Sequence, residues 1–295
     1  MLTFKQFMEQ SSKIVNDEMG GLVSSLRAPE KLKESMIYSL QGGGKRIRPL
    51  LLFATLHAFN KEINIGVRPA CAVEMIHTYS LIHDDLPCMD DDDLRRGQPT
   101  NHKVYGEDMA VLAGDALLTY AFQIISEMNE VVVSDAIKIQ LIRELSIAAG
   151  PEGMVAGQVA DMEGERKSLS GEELQSIHER KTGKMLMFPV IAGAILSNAT
   201  SEHLSHLTQF AWKLGIAFQI QDDILDVIGN VDLIGKPVGS DIENDKTTYV
   251  KLYGVTGAKE KLQQFISEAK QHIVSCGLRD DMLLSICDFV GNRNF

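Results

Sequence analysis

The sequence predicts an all-α fold, because three of its features favour helices over strands. Apolar residues recur at three- and four-residue intervals, the spacing of one helix face, as at Leu207, Phe210 and Leu214. Alternation of apolar and polar residues, which would indicate strands, is scarce. The best β-branched run, residues 131–133, is short and lies between helix-forming stretches, so a strand there is only an alternative.

Glycine and proline residues mark the breaks between these helices. From the N-terminus, breaks are expected at residues 42–44, Pro87, residues 97–99, residues 150–151, residues 164–171 and residues 235–239. None of these segments is a long polar linker, and no repeat of about 20 to 50 residues is present. We therefore expect one domain that spans residues 1–295.

Composition and charge limit the classes of function. The 295 residues are 44% hydrophobic and 23% charged, which is ordinary for a globular protein with a sizeable core. The formal net charge of -11 argues against nucleic acid or an anionic membrane surface as a general partner. An acidic protein that binds acidic ligands would need metal ions or local basic groups.

The sequence favours a cytoplasmic protein without a membrane span. Residues 1–9 lack the continuous apolar core of a secretory signal. The longest strongly apolar run, residues 185–196, contains Pro189 and Gly193 and falls short of the roughly 18 residues of a membrane span, so it indicates a buried helix. The four cysteines are scattered without a CxxC pair, so we expect reduced thiols.

Two acidic clusters with a shared local pattern are the main indication of function. Residues 82–86 read Ile-His-Asp-Asp-Leu, residues 220–224 read Ile-Gln-Asp-Asp-Ile, and a further aspartate follows each. Hard divalent cations such as Mg²⁺ prefer carboxylate and phosphate oxygens, so two such clusters on one cavity could hold ions around a diphosphate. The candidate metal ligands are Asp84, Asp85, Asp90, Asp222, Asp223 and Asp226.

The two clusters require different backbone geometries. Asp222 and Asp226 are four residues apart and therefore share one face of a helix. Asp84 and Asp90 are six residues apart, which on a straight helix would leave about 120° between their side chains. Because Pro87 disfavours continuation of the helix, Asp90 is expected to fold back toward Asp84 from a loop.

A structural role is the alternative for each acidic pair. Acidic residues often cap or solvate helix ends, and residues 91–93 fit that description. Both pairs, however, lie in apolar segments, residues 79–86 and 218–228, where uncompensated carboxylates would be costly to bury. Bound cations are the simplest compensation.

Basic residues near the first cluster are candidate phosphate ligands. Arg95 and Arg96 follow it directly, and guanidinium groups bind phosphate oxygens with two parallel donors. Lys45, Arg46 and Arg48 follow three glycines, although such residues also occur in solvated turns. A nucleotide-binding P-loop is excluded, because Arg46 stands where that motif has a hydroxyl residue.

Weaker candidates lie later in the chain. Gly183 could loosen a helix so that Thr182 turns its hydroxyl inward, beside Lys181. Lys236 and Lys246 could close over a phosphate, although surface lysines are common in such stretches. The histidines at positions 77 and 83 are six residues apart rather than at metal-binding spacing, so neither is expected to bind a metal.

In this order, the motifs resemble those of the trans-isoprenyl diphosphate synthase family. The matching segments are residues 43–49, 74–97, 181–183, 218–226, 235–236 and 245–249. Within the family, they are most similar to bacterial enzymes that make farnesyl diphosphate. The resemblance implies a single-domain all-α bundle around a deep central cavity, usually in a homodimer.

The resemblance also implies roles for individual residues. The six aspartates would hold about three Mg²⁺ ions on the allylic diphosphate. That diphosphate would also contact Arg95, Lys181, Lys236 and Lys246. Isopentenyl diphosphate would be bound by Lys45, Arg48, His77 and Arg96. Thr182 and Gln219 would direct oxygen atoms toward a developing carbocation.

The implied reaction is a Mg²⁺-dependent head-to-tail condensation of isopentenyl diphosphate with dimethylallyl and geranyl diphosphate. Departure of the allylic diphosphate leaves a carbocation, which the double bond of isopentenyl diphosphate attacks before a proton is lost. The catalytic residues implied are Asp84, Asp85, Asp90, Arg95, Lys181, Thr182, Gln219, Asp222, Asp223 and Lys236. Apolar walls would protect the cation from water.

Product length is implied by residues one turn before the first aspartates. In the family these residues line the channel for the growing chain, and Tyr79 and Ser80 occupy the positions here. A bulky Tyr79 should stop growth at fifteen carbons, unless it merely packs between helices. Synthases of longer products share the two extra residues at 87–88, so geranylgeranyl diphosphate is the alternative product.

Two other classes of function remain as alternatives. A terpene cyclase would also ionise an allylic diphosphate, but its second metal motif usually contains Asn and Ser rather than the Asp-Asp-Ile-Leu-Asp of residues 222–226. A non-catalytic helical scaffold that binds prenyl diphosphates is the other alternative. Family members often end in a basic tail, whereas residues 291–295 contain a single basic residue, Arg293, for which no role is predicted.

Overall fold

The structure, a computed structural model, describes residues 2–165, 167–228 and 246–293. The chain divides into two compact units, Met1–Phe53 with Ile63–Ile142 and Ala54–Glu62 with Arg143–Phe295. Both units are helical, and the strands among the described residues form one two-stranded hairpin. The all-α prediction is therefore confirmed, while the single domain over residues 1–295 stays a prediction.

The predicted breaks at residues 42–44, Pro87, 150–151 and 164–171 coincide with boundaries of helices, but other boundaries, such as residues 25–29, were not predicted. The helices of the described residues run in order along the chain. They are α1 (Phe4–Ser24), α2 (Glu30–Gln41), α3 (Ile47–Ala58), α4 (Val67–Asp84), α5 (Asn101–Tyr105), α6 (Glu107–Ser126), α7 (Asp135–Ala149), α8 (Met154–Gly164), α9 (Gly171–His178), α10 (Lys184–Leu196), α11 (Ser201–Ile228), α12 (Tyr249–Ser275) and α13 (Asp281–Asn292). A 3₁₀ turn (Ile63–Gly66) precedes α4, and a π-helical turn (Glu179–Gly183) joins α9 to α10. The break at residues 235–239 lies outside the described residues.

The hairpin consists of β1 (Leu94–Arg95) and β2 (Gln98–Pro99), which pair antiparallel. The strand alternative at residues 131–133 is wrong, because these residues form a turn between α6 and α7. Val131 is 94% exposed there, whereas Val133 is buried. The apolar run thus supplies one core residue and two surface residues rather than an alternating strand.

In the first unit, α4 packs along α6 and the core forms around α4. Both α1 and α2 also pack on α4. The buried face of α4 carries small and branched side chains, among them Cys71, Val73 and Ile76. This face is wide because α4 contacts helices on several sides, so its apolar residues do not form a narrow stripe.

In the second unit, α11 packs on α10 and α12. The helical face predicted at Leu207, Phe210 and Leu214 is buried, with at most 1% exposure of each residue. The run predicted as a buried helix, residues 185–196, lies in α10, which contains Pro189 and is buried along most of its length. Burial of these faces provides the main hydrophobic stabilisation of this unit.

Among the described residues, one helix, α6, is long and apolar enough to cross a membrane, whereas the sequence predicted no membrane span. Its length is 20 residues, and 44% of its most apolar window is buried in the protein. Core helices of water-soluble proteins share this length and composition, so α6 is weak evidence for a membrane span. Its contacts with α2, α4 and α5 are those of a packed helix.

Candidate active site

The first acidic cluster lies where α4 ends and the chain reverses. Asp84 is the last residue of α4, and Pro87 follows in a turn. The backbone N–H of Asp90 donates to the carbonyl oxygen of Asp84 at 2.8 Å. Asp91 takes a left-handed conformation with a φ of 52°. The structure therefore has the predicted reversal, which returns Asp90 to the end of α4.

Asp85 is buried and forms an ion pair with Arg95. Its Oδ1 accepts from Nη2 of Arg95 at 2.5 Å and from Nε at 2.6 Å. Arg95 also lies 3.4 Å from a carboxylate oxygen of Asp92. Burial raises the pKa of Asp85 above its usual value, even though the Arg95 guanidinium opposes this shift. The first cluster is thus partly neutralised by an arginine of the same unit.

The β1–β2 hairpin presents two arginines at its turn. Arg96 and Gly97 are its central residues, with φ values of 54° and 77°. Positive φ at both central residues is the feature of a type I′ turn, which matches the twist of two-residue hairpins. The sequence predicted only a break here, although the glycine after Arg96 is a signal for a hairpin turn. The hairpin fixes the adjacent residues Arg95 and Arg96 close to the first cluster and the glycine loop.

The glycine loop before α3 approaches Arg96 closely. A guanidinium nitrogen of Arg96 donates to the carbonyl oxygen of Gly43. A Cβ at Gly44 would lie 2.6 Å from Nη1 of Arg96, and the φ of Gly44 is 124°. The backbone conformation favours glycine at position 44, and a side chain there would also displace the Arg96 guanidinium. Lys45 and Arg48 are half-buried beside this loop.

Arg46 is a buried structural residue, and it is neither in a solvated turn nor free to bind phosphate. Its side chain donates to Glu74 at 3.1 Å, to Asn16 at 2.9 Å and to the carbonyl oxygen of Leu40. The side chains of Arg46 and Glu74 are each 3% exposed. The pairing of Arg46 with Glu74 was not predicted, because the two residues are 28 positions apart and lie on different helices or loops.

His77 lies on α4 among several arginines. Burial lowers its pKa well below the usual value, and the charges of Arg48 and Arg96 lower it further. His77 is therefore neutral near pH 7. It can donate one hydrogen bond to an anion, but it adds no positive charge.

A small open cleft lies in the first unit beside these groups. Its lining includes Asp85, Arg95 and Arg96 together with Tyr38 and Thr78. The arginines make the cleft suitable for an anion, and the carboxylate makes it suitable for a cation.

The predicted product-length residues differ in their orientation. Tyr79 is 7% exposed, and its ring lies edge-on to that of His83 with centroids 5.7 Å apart. Ser80 donates its hydroxyl to the carbonyl oxygen of His77 at 2.9 Å, within its own helix. Burial raises the pKa of Tyr79, so its phenol stays neutral.

The second acidic cluster lies near the C-terminal end of α11. Asp222 and Asp226 are one turn apart on this helix, as the sequence predicts. Asp222 accepts a hydrogen bond from Nη2 of Arg293 at 2.6 Å. Arg293 is buried and stacks over the ring of Phe218 at 3.9 Å. No role was predicted for Arg293, yet its guanidinium pairs with Asp222 in the described part of the chain.

Asp223 has a structural contact at the start of α12. Its buried carboxylate accepts from the backbone N–H of Tyr249 at 2.8 Å, in the first turn of that helix. A carboxylate at a helix N-terminus is favoured by the helix dipole. Its assignment as a metal ligand stays a prediction beside this observed role.

The π-helical turn brings Thr182 and Gln219 together. The hydroxyl of Thr182 donates to Oε1 of Gln219 at 2.9 Å. A Cβ at Gly215 would lie 2.9 Å from Cα of Gly183, so α11 approaches the turn closely. Turns of this kind are frequent at functional sites. The predicted loosening at Gly183 is present, and it aims the Thr182 hydroxyl at α11.

Two lysines of the second unit converge on α8. Lys181 donates to Oδ2 of Asp161 at 2.6 Å, and Lys246 lies 3.6 Å from the same oxygen. Burial acts to raise the pKa of Asp161, but the two lysines hold it below its usual value. Asp161 was not predicted as a site residue, although Gly157, one turn earlier on α8, was a signal of close packing at this helix. A Cβ at Gly157 would lie 2.2 Å from the Lys181 backbone nitrogen, so α8 must approach there.

Lys236 lies outside the described residues. Within residues 2–165, 167–228 and 246–293, no three acidic, histidine or cysteine side chains are gathered closely enough to hold a metal ion by themselves. Mg²⁺ commonly takes one or two protein carboxylates and completes its shell with phosphate and water oxygens. The carboxylate donors of each cluster fit that chemistry.

The stability of the second unit is expected to fall in acid because of His178. Burial lowers its pKa from 6.5 to about 4, and its ring stacks on Tyr249. In the unfolded chain, His178 binds a proton as the pH falls below 6.5, but in the folded protein it does so only near pH 4. The free energy of unfolding therefore decreases as the pH falls from 6.5 to about 4. The loss is about 3 kcal/mol. Urea unfolding at pH 7.5 and 4.5 measures it, and His178→Gln should flatten the profile; parallel profiles would contradict the assignment.

Comparison with known proteins gives matches over nearly the whole chain. The model of the family described as Polyprenyl synthetase matches residues 29–276. Farnesyl diphosphate synthase of Geobacillus stearothermophilus is 53% identical over 293 residues, 99% of this chain and 99% of that protein. Farnesyl diphosphate synthase of Bacillus subtilis is 54% identical over 288 residues, 98% and 97% of the two chains. The crystal structure of an FPP/GFPP synthase from Zymomonas mobilis has a TM-score of 0.84 and 36% identity, covering 97% of this chain and 98% of that one.

Proposed function

This chain belongs to the polyprenyl synthetase family, and we propose that it is a farnesyl diphosphate synthase. The observation that carries the proposal is its 53–54% identity, over nearly its full length, to two bacterial farnesyl diphosphate synthases. The enzyme is a prenyltransferase that condenses isopentenyl diphosphate with dimethylallyl and then geranyl diphosphate. Both aspartate clusters and the basic residues around them supply side chains of the type that this reaction needs.

We propose that Asp84, Asp85, Asp90, Asp222, Asp223 and Asp226 are ligands of the Mg²⁺ ions that bind the allylic diphosphate, about three ions in all. Bound Mg²⁺ neutralises the charge of the departing diphosphate. The contact of Asp85 with Arg95 supports this assignment, because a buried carboxylate is stabilised by a cationic partner. The aspartates supply only oxygen ligands, which suits a hard cation.

The chain's own cations would bind and orient the allylic diphosphate. Lys181 and Lys246 are held together by Asp161, which keeps two ammonium groups at one place. Arg95 adds a guanidinium from the hairpin, and Lys236 is proposed for the same diphosphate. Thr182 and Gln219 would present oxygen atoms to the positive charge that develops on the allylic carbon. Their direct hydrogen bond fixes both oxygens before substrate binds.

Isopentenyl diphosphate would be bound by Lys45, Arg48, His77 and Arg96. The buried Arg46 anchors the loop that carries Lys45 and Arg48. A neutral His77 would donate a hydrogen bond to a diphosphate oxygen. The proton released in the final step would leave to the departed diphosphate, which is the base already present at the site.

We further propose that the enzyme is a cytoplasmic homodimer. Exposed apolar side chains of the first unit support a dimer surface, in particular Val111 and Leu112 on α6 and Ile139 on α7. Cys71, Cys276 and Cys287 are buried and free, and Cys88 is exposed and free, which supports a reducing compartment.

A product assay tests the proposed function. The purified protein is incubated with isopentenyl diphosphate and either dimethylallyl or geranyl diphosphate, with and without Mg²⁺, and the product length is measured. We expect fifteen-carbon product that depends on Mg²⁺. A twenty-carbon product would favour a geranylgeranyl diphosphate synthase, and a cyclic hydrocarbon without condensation would favour a terpene cyclase. Binding without any turnover would favour the non-catalytic scaffold.

Tyr79→Ala is expected to shift the product from fifteen to twenty carbons. Removal of the ring frees space for one further prenyl unit, and each added carbon gains about 0.8 kcal/mol from burial. Tyr79→Phe is the matched control, because it keeps the ring and removes only the hydroxyl; it should still make fifteen-carbon product. Chromatography of dephosphorylated products measures the ratio. A Tyr79→Ala enzyme that stops at fifteen carbons would show that Tyr79 only fills the core.

A further inference from the structure

The imidazole of His83 lies in a slot on α6. Its Nε2 is 3.2 Å from the carbonyl oxygen of Val111, and because a carbonyl can only accept, Nε2 carries the proton. Gly114 lies three residues further along α6, on the same side of the helix. A Cβ at Gly114 would be 2.1 Å from Nε2 and 2.5 Å from Cδ2 of His83. Position 114 therefore has room for the His83 ring only while it is glycine.

The same imidazole contacts Tyr79. The two residues are four positions apart on α4 and share a helix face. Their ring planes meet at 75° with centroids 5.7 Å apart, an edge-to-face arrangement that favours one relative orientation. The Tyr79 ring thus packs against the imidazole, and the imidazole contacts the backbone of α6.

A side chain that limits product length has to keep its conformation when the growing prenyl chain contacts it. Each added prenyl unit gains free energy from burial, so a ring with free space behind it would rotate away and admit a longer chain. The slot removes that free space on the His83 side of Tyr79. Its two parts are the Val111 carbonyl, which fixes Nε2, and Gly114, which admits the ring.

We propose that His83 and Gly114 are positioning residues that set product length by holding Tyr79 in place. The inference rests on the proposed function, in which Tyr79 ends the space for the growing chain. It extends the length-determining region from α4 to α6. His83 has no part in phosphate or metal binding in this proposal, and its effect on product length passes through Tyr79.

The test measures the ratio of twenty- to fifteen-carbon product in His83→Ala, Gly114→Ala and the double variant. Each single change should raise the ratio about fivefold or more, because it removes or displaces the imidazole that contacts the Tyr79 ring. The double variant should raise the ratio no further than His83→Ala alone, because the added Cβ then enters the space that the ring has left. His83→Gln, whose amide can donate to Val111, should return the ratio toward that of the parent.

The controls separate this inference from the proposed function. Gly21→Ala also changes a helical glycine, but nothing lies within 4 Å of its Cβ position, so the ratio should not change. A product ratio does not depend on the fraction of enzyme that is folded, so a destabilised variant still reports. If Tyr79→Ala lengthens the product while His83→Ala and Gly114→Ala do not, the inference is overturned and the function stands. Independent effects in the double variant would also overturn it. If the parent enzyme makes no fifteen-carbon product, both the proposed function and this inference are overturned.

Discussion

Replacement of Asp84 or Asp222 by alanine is expected to lower kcat by about 10²- to 10³-fold, the loss typical when a preorganised group that stabilises developing charge is removed. Each carboxylate is proposed to hold Mg²⁺ on the allylic diphosphate, and departure of that group is the first step of the reaction. The measurement is steady-state condensation of isopentenyl and geranyl diphosphates at saturating Mg²⁺. Full activity in both variants would exclude the two-cluster metal site.

Two controls make this experiment specific. Asp93→Ala removes a carboxylate from the same acidic run, but Asp93 is 75% exposed and pairs with Lys103, so kcat should stay near that of the parent. Asp222→Ala also leaves buried Arg293 without its carboxylate, which would lower stability. Asp222→Asn keeps an oxygen for Arg293 and removes the charge. Low activity in Asp222→Asn with an unchanged Tm would assign the loss to chemistry.

Replacement of Glu74 by glutamine is expected to lower the free energy of unfolding by about 3 kcal/mol. Glutamine has nearly the same shape as glutamate, so it leaves no cavity but leaves the charge of buried Arg46 uncompensated. Thermal unfolding followed by circular dichroism should show a Tm lower by roughly 5 °C, because the shift per kcal/mol is small for a chain of 295 residues. Because Arg46 lies between Lys45 and Arg48, the KM for isopentenyl diphosphate should also rise.

The Glu18–Arg68 pair provides the matched control for Glu74. Its N···O distance of 3.1 Å equals that of Arg46–Glu74, but its side chains are 36% and 37% exposed. Glu18→Gln should therefore cost less than about 1 kcal/mol, because solvent replaces the lost charge interaction. Equal losses in the two variants would show that burial of Glu74 is not the cause of its contribution.

Much of the site chemistry was predictable from local sequence. The reversal after Pro87 followed from the conformational limits of proline, and the shared face of Asp222 and Asp226 followed from helical periodicity. The contact of Thr182 with Gln219 spans 37 positions, so only the family resemblance placed both at the reaction centre. The two-residue hairpin at Arg96 was missed because its strands are too short to show a periodic pattern.

The sequence by itself determined the helical fold, the breaks at residues 42–44, Pro87, 150–151 and 164–171, and the residue types available for metal and phosphate binding. These features depend on neighbours within a few turns of the chain. Tertiary structure alone decided which charges meet. Arg46 pairs with Glu74 across 28 positions, and Arg293 pairs with Asp222 across 71. Such pairs form where packing leaves a buried charge to be compensated, so the contacts that packing brings together decide them rather than spacing along the chain.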